Sequence, residues 1–322
     1  MTTVYLHIGM PKTGSTSLQF FIDLNREKLL ERGLLYPLSG RPKGNFIEWT
    51  YSHDNLLLEV FNSIVYQPES GGWEEVIKEI NTFNPEKVII SDENLGYLGY
   101  PFRKDPSLEY ISQYKSYLSN FDTKVVIYLR KQDDFLISFY SQVVKTAWYY
   151  KDFKHFVAEH EVDYYKILET WAKEFGKENI IVRVFEKDQL KGGLIQDFFS
   201  TLDFTSPIDD LTYSTQLNTN PSLKTIEFMR FLNQILMEKM AIRRGKLKSS
   251  RFGSYIDFLR FLSTQNLLSQ FISSLPNFLI SDQLLSKQER IELMQKYEES
   301  NRKVAEDYLG RKNGQLFYQT VK

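Results

Sequence analysis

Residues Val4 to Thr16 constrain the fold more than any other stretch of the chain. An apolar run from Val4 to Ile8 reads as a strand, a turn of Gly, Met, Pro, Lys, Thr and Gly follows, and a helix starts at Ser15. A strand that turns through small residues straight into a helix points several backbone N–H groups at one spot. The positive end of the helix dipole faces the same spot, and the result is an anion site. Lys12 adds a full charge there. Ser15 and Thr16 add hydroxyl donors and suit the first positions of a helix.

Further along, short β-branched or apolar runs alternate with helical periodicity. Strands are predicted at Lys87 to Ser91, Lys124 to Leu129 and Ile180 to Val184, with a short extended piece at Leu34 to Pro37. Helices are predicted over 15–32 (stopped by Gly33), 53–65, 73–83, 107–120, 133–149, 164–175 and 194–202. This alternation predicts an α/β fold: a P-loop-like, three-layer arrangement with a central parallel sheet flanked by helices. After Phe204 only helical stretches follow, over 222–240, 255–273 and 286–308, so a helical C-terminal region is predicted as well. The expected organisation is a core over 1–210 and a helical extension over 211–322, packed together as one domain.

Bulk properties narrow the partners. The formal net charge is −1, so no global basic field attracts nucleic acid and any anion site is local. The chain has no cysteine, which excludes disulfides and thiolate metal sites. No apolar run reaches the ~18–20 residues of a membrane helix, and no signal peptide precedes the first strand. The expected location is the cytoplasm, with a peripheral position at the inner membrane face if the acceptor is lipid-linked. The basic run Arg243 to Arg251 and the segment Arg311 to Gly314 both read as solvated.

The first loop is close to the Walker A pattern but departs from it at the key position. Gly9 and Gly14 have the Walker separation, yet Ser15 stands where that pattern has its Lys, and the Lys has moved into the loop as Lys12. A second signature lies a hundred residues on. Val125 to Leu129 is the clearest strand, Arg130 sits at its C-terminal end, and Asp134 and Ser138 form a D-x-x-x-S pattern on the following helix. The end of such a strand is where ligands of open α/β sheets collect, and an Arg fork with a hydroxyl suits a phosphate. Together, Pro11-Lys12-Thr13-Gly14-Ser15-Thr16 and Arg130 with Ser138 resemble the 5′-phosphosulfate and 3′-phosphate sites of sulfotransferases. These enzymes use 3′-phosphoadenosine-5′-phosphosulfate (PAPS), and the likeness is to their bacterial, carbohydrate-directed branch. Phe185-Glu186 resembles a third, Y-E-like segment of that family.

The resemblance implies sulfuryl transfer from PAPS, without a metal, to a hydroxyl or amine on a carbohydrate, glycolipid or other small acceptor. The product nucleotide would be 3′-phosphoadenosine-5′-phosphate (PAP). The implied cofactor-binding residues are Lys12, Thr13, Gly14, Ser15, Thr16, Ser17, Arg130, Ser138 and Phe185. Ser17 stands where the cytosolic branch has a Trp, so adenine stacking has to come from elsewhere. Lys12 is the implied stabiliser of the leaving phosphate. For the base, Glu93 after the Val88 to Ser91 strand comes first and His53 second. His7 reads as structural, and His155 and His160 read as surface residues. Two other classes stay open at this point: a P-loop kinase or NTPase, for which Asp92 is the tempting Mg²⁺-holding residue, and a non-catalytic nucleotide-binding protein. The sequence does not specify the acceptor or the oligomeric state.

Overall fold

The structure is a computed structural model. It describes residues 2–43, 51–97, 109–146, 149–213, 221–242, 270, 272, 274, 276 and 282–318. Backbone packing divides the chain into two compact units. The first comprises Met1–Lys131, Asp163–Gln216 and Tyr297–Thr320, and the second Gln132–Val162, Leu217–Lys296 and Val321–Lys322. The two units interleave along the chain.

The first unit holds five parallel strands: β1 (Thr3–His7), β2 (Leu34–Leu35), β3 (Lys87–Ser91), β4 (Asp122–Leu129) and β5 (Ile180–Val184). Their order is β2-β3-β1-β4-β5, so β1 is the middle strand. Thr3 pairs with Lys87 on one side and Asp122 on the other, and His7 with Ser91 and Val126. Because all strands run the same way, everything that leaves a C-terminal end emerges at one edge.

Side chains alternate between the two faces of the sheet. Tyr5, Ile89, Val126 and Tyr128 pack with Leu18, Phe21, Ile22 and Leu29 of helices α1 (Ser15–Leu24) and α2 (Arg26–Glu31) and with Phe198 and Phe199 of α9 (Leu194–Thr201). On the opposite face, α8 (Tyr164–Phe175) lies against β4 and β5 and beside α5 (Glu109–Tyr117). Tyr110, Ile111, Tyr114, Leu168 and Trp171 of these two helices are buried there. Burial on both faces explains the apolar runs Val4–Leu6, Val88–Ile90 and Val125–Leu129 of the three central strands. The unit also contains α3 (Asp54–Val60) and α4 (Trp73–Phe83). The expected α/β fold with a central parallel sheet between helices is observed.

Four details differ from the sequence reading. The helix over 15–32 is broken at Asn25, whose side-chain amide donates to Phe21 O at 2.8 Å and Thr212 O at 3.0 Å while its oxygen accepts Thr212 N–H at 2.8 Å. An Asn that hydrogen-bonds backbone in this way competes with the helix ladder. The 286–308 stretch is likewise two helices, Lys287–Gln295 and Glu298–Asp307. Segment 311–318 is docked through Arg311, the buried Leu316 and the Tyr318 backbone, while Lys312 and Asn313 are exposed as expected. Arg311 donates to Gln189 Oε1 at 2.6 Å and Leu316 O at 2.9 Å, and Glu186 accepts Tyr318 N–H at 2.8 Å. His160 is buried, stacked on Phe156, with Nδ1 at 2.7 Å from Phe156 O, whereas His155 is exposed as expected.

The second unit contains α6 (Gln132–Thr146), α7 (Phe153–Glu159), α10 (Leu223–Ile242) and the helix Lys287–Gln295, here α11. Asn233 of α10 donates to Val144 O and Tyr149 O at 2.9 and 3.1 Å, and Tyr140 of α6 donates to Glu227 at 2.6 Å. The basic run 243–251 and most of the helix predicted over 255–273 lie outside the described residues. No helix among the described residues is long and apolar enough to cross a membrane.

Candidate functional site

The site is built at the C-terminal edge of three neighbouring strands, β3, β1 and β4. The central strand delivers the Ile8–Gly14 loop, β3 delivers Asp92 and Glu93, and β4 delivers Arg130. This convergence follows from strand order alone, and the edge of an open parallel sheet is where such sites form.

The loop is shaped by its own hydrogen bonds. Thr13 Oγ1 donates to Met10 O at 2.6 Å, so the Thr13 hydroxyl closes the turn and its side chain is buried. Lys12 has a φ of 68°, in the left-handed region that costs an ordinary residue roughly 1–2 kcal/mol. Its carbonyl accepts Arg130 Nη1 at 2.9 Å. Strain of this kind persists where the surroundings hold it, and it clusters at ligand clamps. Arg130 is itself held, because the buried Tyr164 hydroxyl donates to its carbonyl.

Gly14 (φ 83°) turns the loop into α1, and no side chain caps that helix. A Cβ at Gly14 would lie 2.5 Å from Leu194 Cδ2 and 3.3 Å from Phe185 Cε2. The Phe185 ring is therefore part of the wall behind the loop. Gly14→Ala is expected to destabilise the protein by about 2–3 kcal/mol, from left-handed strain plus overpacking. Urea unfolding measures this, and adding Leu194→Ala should recover part of the loss. Ser15 is buried, Thr16 half-buried and Ser17 exposed.

Glu93 leaves β3 beside this loop. Its Oε2 accepts the Ser15 hydroxyl, and its Cα and Cβ stand 3.3 Å from where a Gly9 side chain would begin. The segment after Glu93 is just as close: a Cβ on Gly96 would lie 2.1 Å from Gly9 O, a gap only glycine fits. Lys12 and Glu93 thus belong to two backbone segments in contact, 81 residues apart in sequence (93 − 12).

His53 is fully buried. Its Nδ1 accepts Ser91 N–H at 3.1 Å and its Nε2 lies 3.2 Å from Pro37 O, so the ring bridges β3 and the chain after β2. Burial, with Arg41 adding to it, lowers its pKa to about 3, so the ring is neutral. The nearby His7 is neutral for the same reason, lowered by burial to about 4, with Nδ1 at 2.8 Å from Ser91 Oγ.

Asp92 and Asp54 form a buried acid pair that sequence reasoning missed. Asp92 Oδ1 accepts Asn94 N–H at 2.9 Å, and Asp54 Oδ1 accepts the Asn94 side-chain amide at 3.1 Å. In its protonated form the Asp92 carboxyl hydrogen-bonds to Asp54. Burial first, and the Asp54 charge second, push Asp92 well above the ordinary carboxylate range. Two buried carboxyls in contact do not both ionise, so the pair shares a proton. Asp92 is therefore committed to Asp54, which does not favour the Mg²⁺ role a kinase reading needs. Glu93, one residue further on, is only half-buried.

Ser138 lies half-buried on α6, in the second unit. Asp197 is a further residue that no local spacing reveals. It is fully buried, and it accepts Tyr128 Oη at 2.8 Å, Arg183 Nε at 2.9 Å and Lys191 N–H at 3.0 Å. This knot ties β4, β5 and α9 together.

The fold and the site define a parallel α/β protein with a lysine-bearing loop between β1 and α1 and a carboxylate held against it. No family model matches the chain. An uncharacterized protein of Archaeoglobus fulgidus is 27% identical over 206 residues, which is 63% of this chain and 50% of that protein. The chain spans about half the length of this curated relative. A solved sulfotransferase from Alicyclobacillus acidocaldarius is similar at 16% identity and a TM-score of 0.35, covering 77% of this chain and 98% of its own. A likeness at that level fixes neither fold nor family.

Proposed function

We propose that the protein is a PAPS-dependent sulfotransferase acting on a hydroxyl or amine, with a carbohydrate or glycolipid as the favoured acceptor class. The observation that carries this reading is the contact between the Lys12 loop and the Glu93 segment, closed by the Ser15–Glu93 hydrogen bond. One place then offers an anion cradle, a cation for a leaving phosphate and a carboxylate for an incoming nucleophile.

In the proposed reaction the loop N–H groups, Lys12, Ser15 and Thr16 hold the 5′-phosphosulfate. Arg130 braces the loop through the Lys12 carbonyl, and Phe185 backs Gly14. Ser138 enters from sequence spacing alone, as a partner for the 3′-phosphate, and Ser17 as an exposed contact at the start of α1. The acceptor oxygen attacks sulfur in line, a new O–S bond forms, and the S–O bond to the phosphate breaks. Its electron pair stays on the phosphate as PAP leaves. Lys12 stabilises that developing charge, and Glu93 takes the acceptor's proton. His53, with both ring nitrogens facing backbone groups, is a brace in this scheme. The transferred group carries less charge than a phosphoryl group, so the step places no demand on a metal. Cytoplasmic action belongs to the same reading.

Calorimetry tests the donor. PAP is expected to bind without Mg²⁺ at least tenfold more tightly than ADP, and Lys12→Ala is expected to weaken it. Equal or tighter binding of ADP, strengthened by Mg²⁺, overturns the assignment in favour of a kinase or NTPase. Tight PAP binding with no transfer to any acceptor would leave a non-catalytic binding protein.

A further inference from the structure

Ser15 occupies the first turn of α1, and its hydroxyl donates to Glu93 Oε2. A serine hydroxyl has one proton to donate. An anion held in the loop demands that same proton, because Ser15 lies at the helix end towards which the loop opens and α1 has no side-chain cap of its own. The Glu93 carboxylate and a bound phosphosulfate are thus two anions competing for one donor. Glu93 is also placed to feel the outcome, since its backbone packs directly on Gly9.

We infer that Ser15 is a switch hydroxyl shared between Glu93 and the donor: it holds the Glu93 carboxylate against the loop until the 5′-phosphosulfate takes its proton. This rests on the donor reading above. Donor binding then does two things at once. It satisfies the loop, and it frees a Glu93 oxygen to accept the acceptor's proton. The base is armed only when there is a sulfuryl group to transfer.

Competition leaves a signature in binding that a scaffold role does not. Glu93→Ala removes the competing anion, so PAP should bind roughly tenfold more tightly, the value of one charge-assisted hydrogen bond. In a Ser15→Ala background the same change should gain less than about threefold, because only charge repulsion is left to relieve. Ser15→Thr, which keeps the hydroxyl, should restore the full gain. The experiment is calorimetric titration of PAP into wild type, both single variants, the double variant and the Ser15→Thr pair. Circular dichroism confirms the fold of each, and Ser15→Cys replaces Ser15→Ala if the latter unfolds. Equal gains in both backgrounds, or no gain, overturn the switch while leaving the donor assignment standing. Failure of wild type to bind PAP overturns the donor assignment and the switch with it.

Discussion

Changing Glu93 to Gln is expected to lower acceptor turnover by roughly 10²–10⁴-fold, the range that a positioned general base contributes. Gln keeps the size of the side chain and can still accept the Ser15 hydroxyl, but it cannot take a proton. Donor binding should therefore survive, and PAP affinity should be no weaker than in wild type. The fall belongs in kcat, with the KM for donor little changed. Single-turnover transfer from radiolabelled PAPS separates this from a release effect. A drop of less than about threefold would remove Glu93 from the proton-transfer step. The neighbouring Asp92 is no substitute, because its carboxyl is buried against Asp54.

Lys12→Gly should separate stability from activity. Lys12 sits at a φ of 68°, which glycine adopts without steric strain. The Arg130 contact is to the Lys12 carbonyl, so it survives removal of the side chain. The variant is expected to be as stable as wild type, or more stable by about 1 kcal/mol. Turnover should nevertheless fall roughly 10²–10³-fold, as when one preorganised group facing transition-state charge is lost. Urea unfolding and the PAPS assay on the same preparation check both halves. A variant that is both less stable and only mildly slower would mean that Lys12 serves the fold. The strained lysine would then need another explanation.

Much of this architecture can be read from residue order. The helix Tyr164–Phe175 and the strands Lys87–Ser91 and Ile180–Val184 fall where periodicity puts them, because each is a short apolar or amphipathic run bounded by its own stop signals. The loop from Gly9 to Gly14 and its helix start are legible for the same reason. What sequence spacing does not encode is which distant group a polar side chain meets. Asp92 reads as a Mg²⁺-holding residue until Asp54 is found beside it. His53 reads as a base until its two nitrogens are found on backbone groups of β3 and Pro37. Asn25 looks like an ordinary helix residue until Thr212 is brought to it. His160 follows a charged stretch, yet Phe156 and Phe139 bury it. In each case a long-range partner overrides the local cue.

The central place of β1 sets a timetable for assembly. It is the earliest strand in the chain, yet its two neighbours lie 84 and 119 residues downstream, as the His7–Ser91 and Thr3–Asp122 contacts measure. On a ribosome adding roughly 5–20 residues per second, the second neighbour appears some ~6–24 s after the first strand. Until the first neighbour emerges after ~4–17 s an apolar strand has both of its edges unpaired, and one edge stays open until the second, the condition under which nascent chains aggregate. Pairings this distant also fold slowly once synthesis ends. The Ile8–Gly14 loop cannot take its final shape before β4 arrives with Arg130. The loop's Arg130 brace should therefore form late, together with closure of the sheet, so under the proposed function recovery of donor binding reports on completed folding of the core.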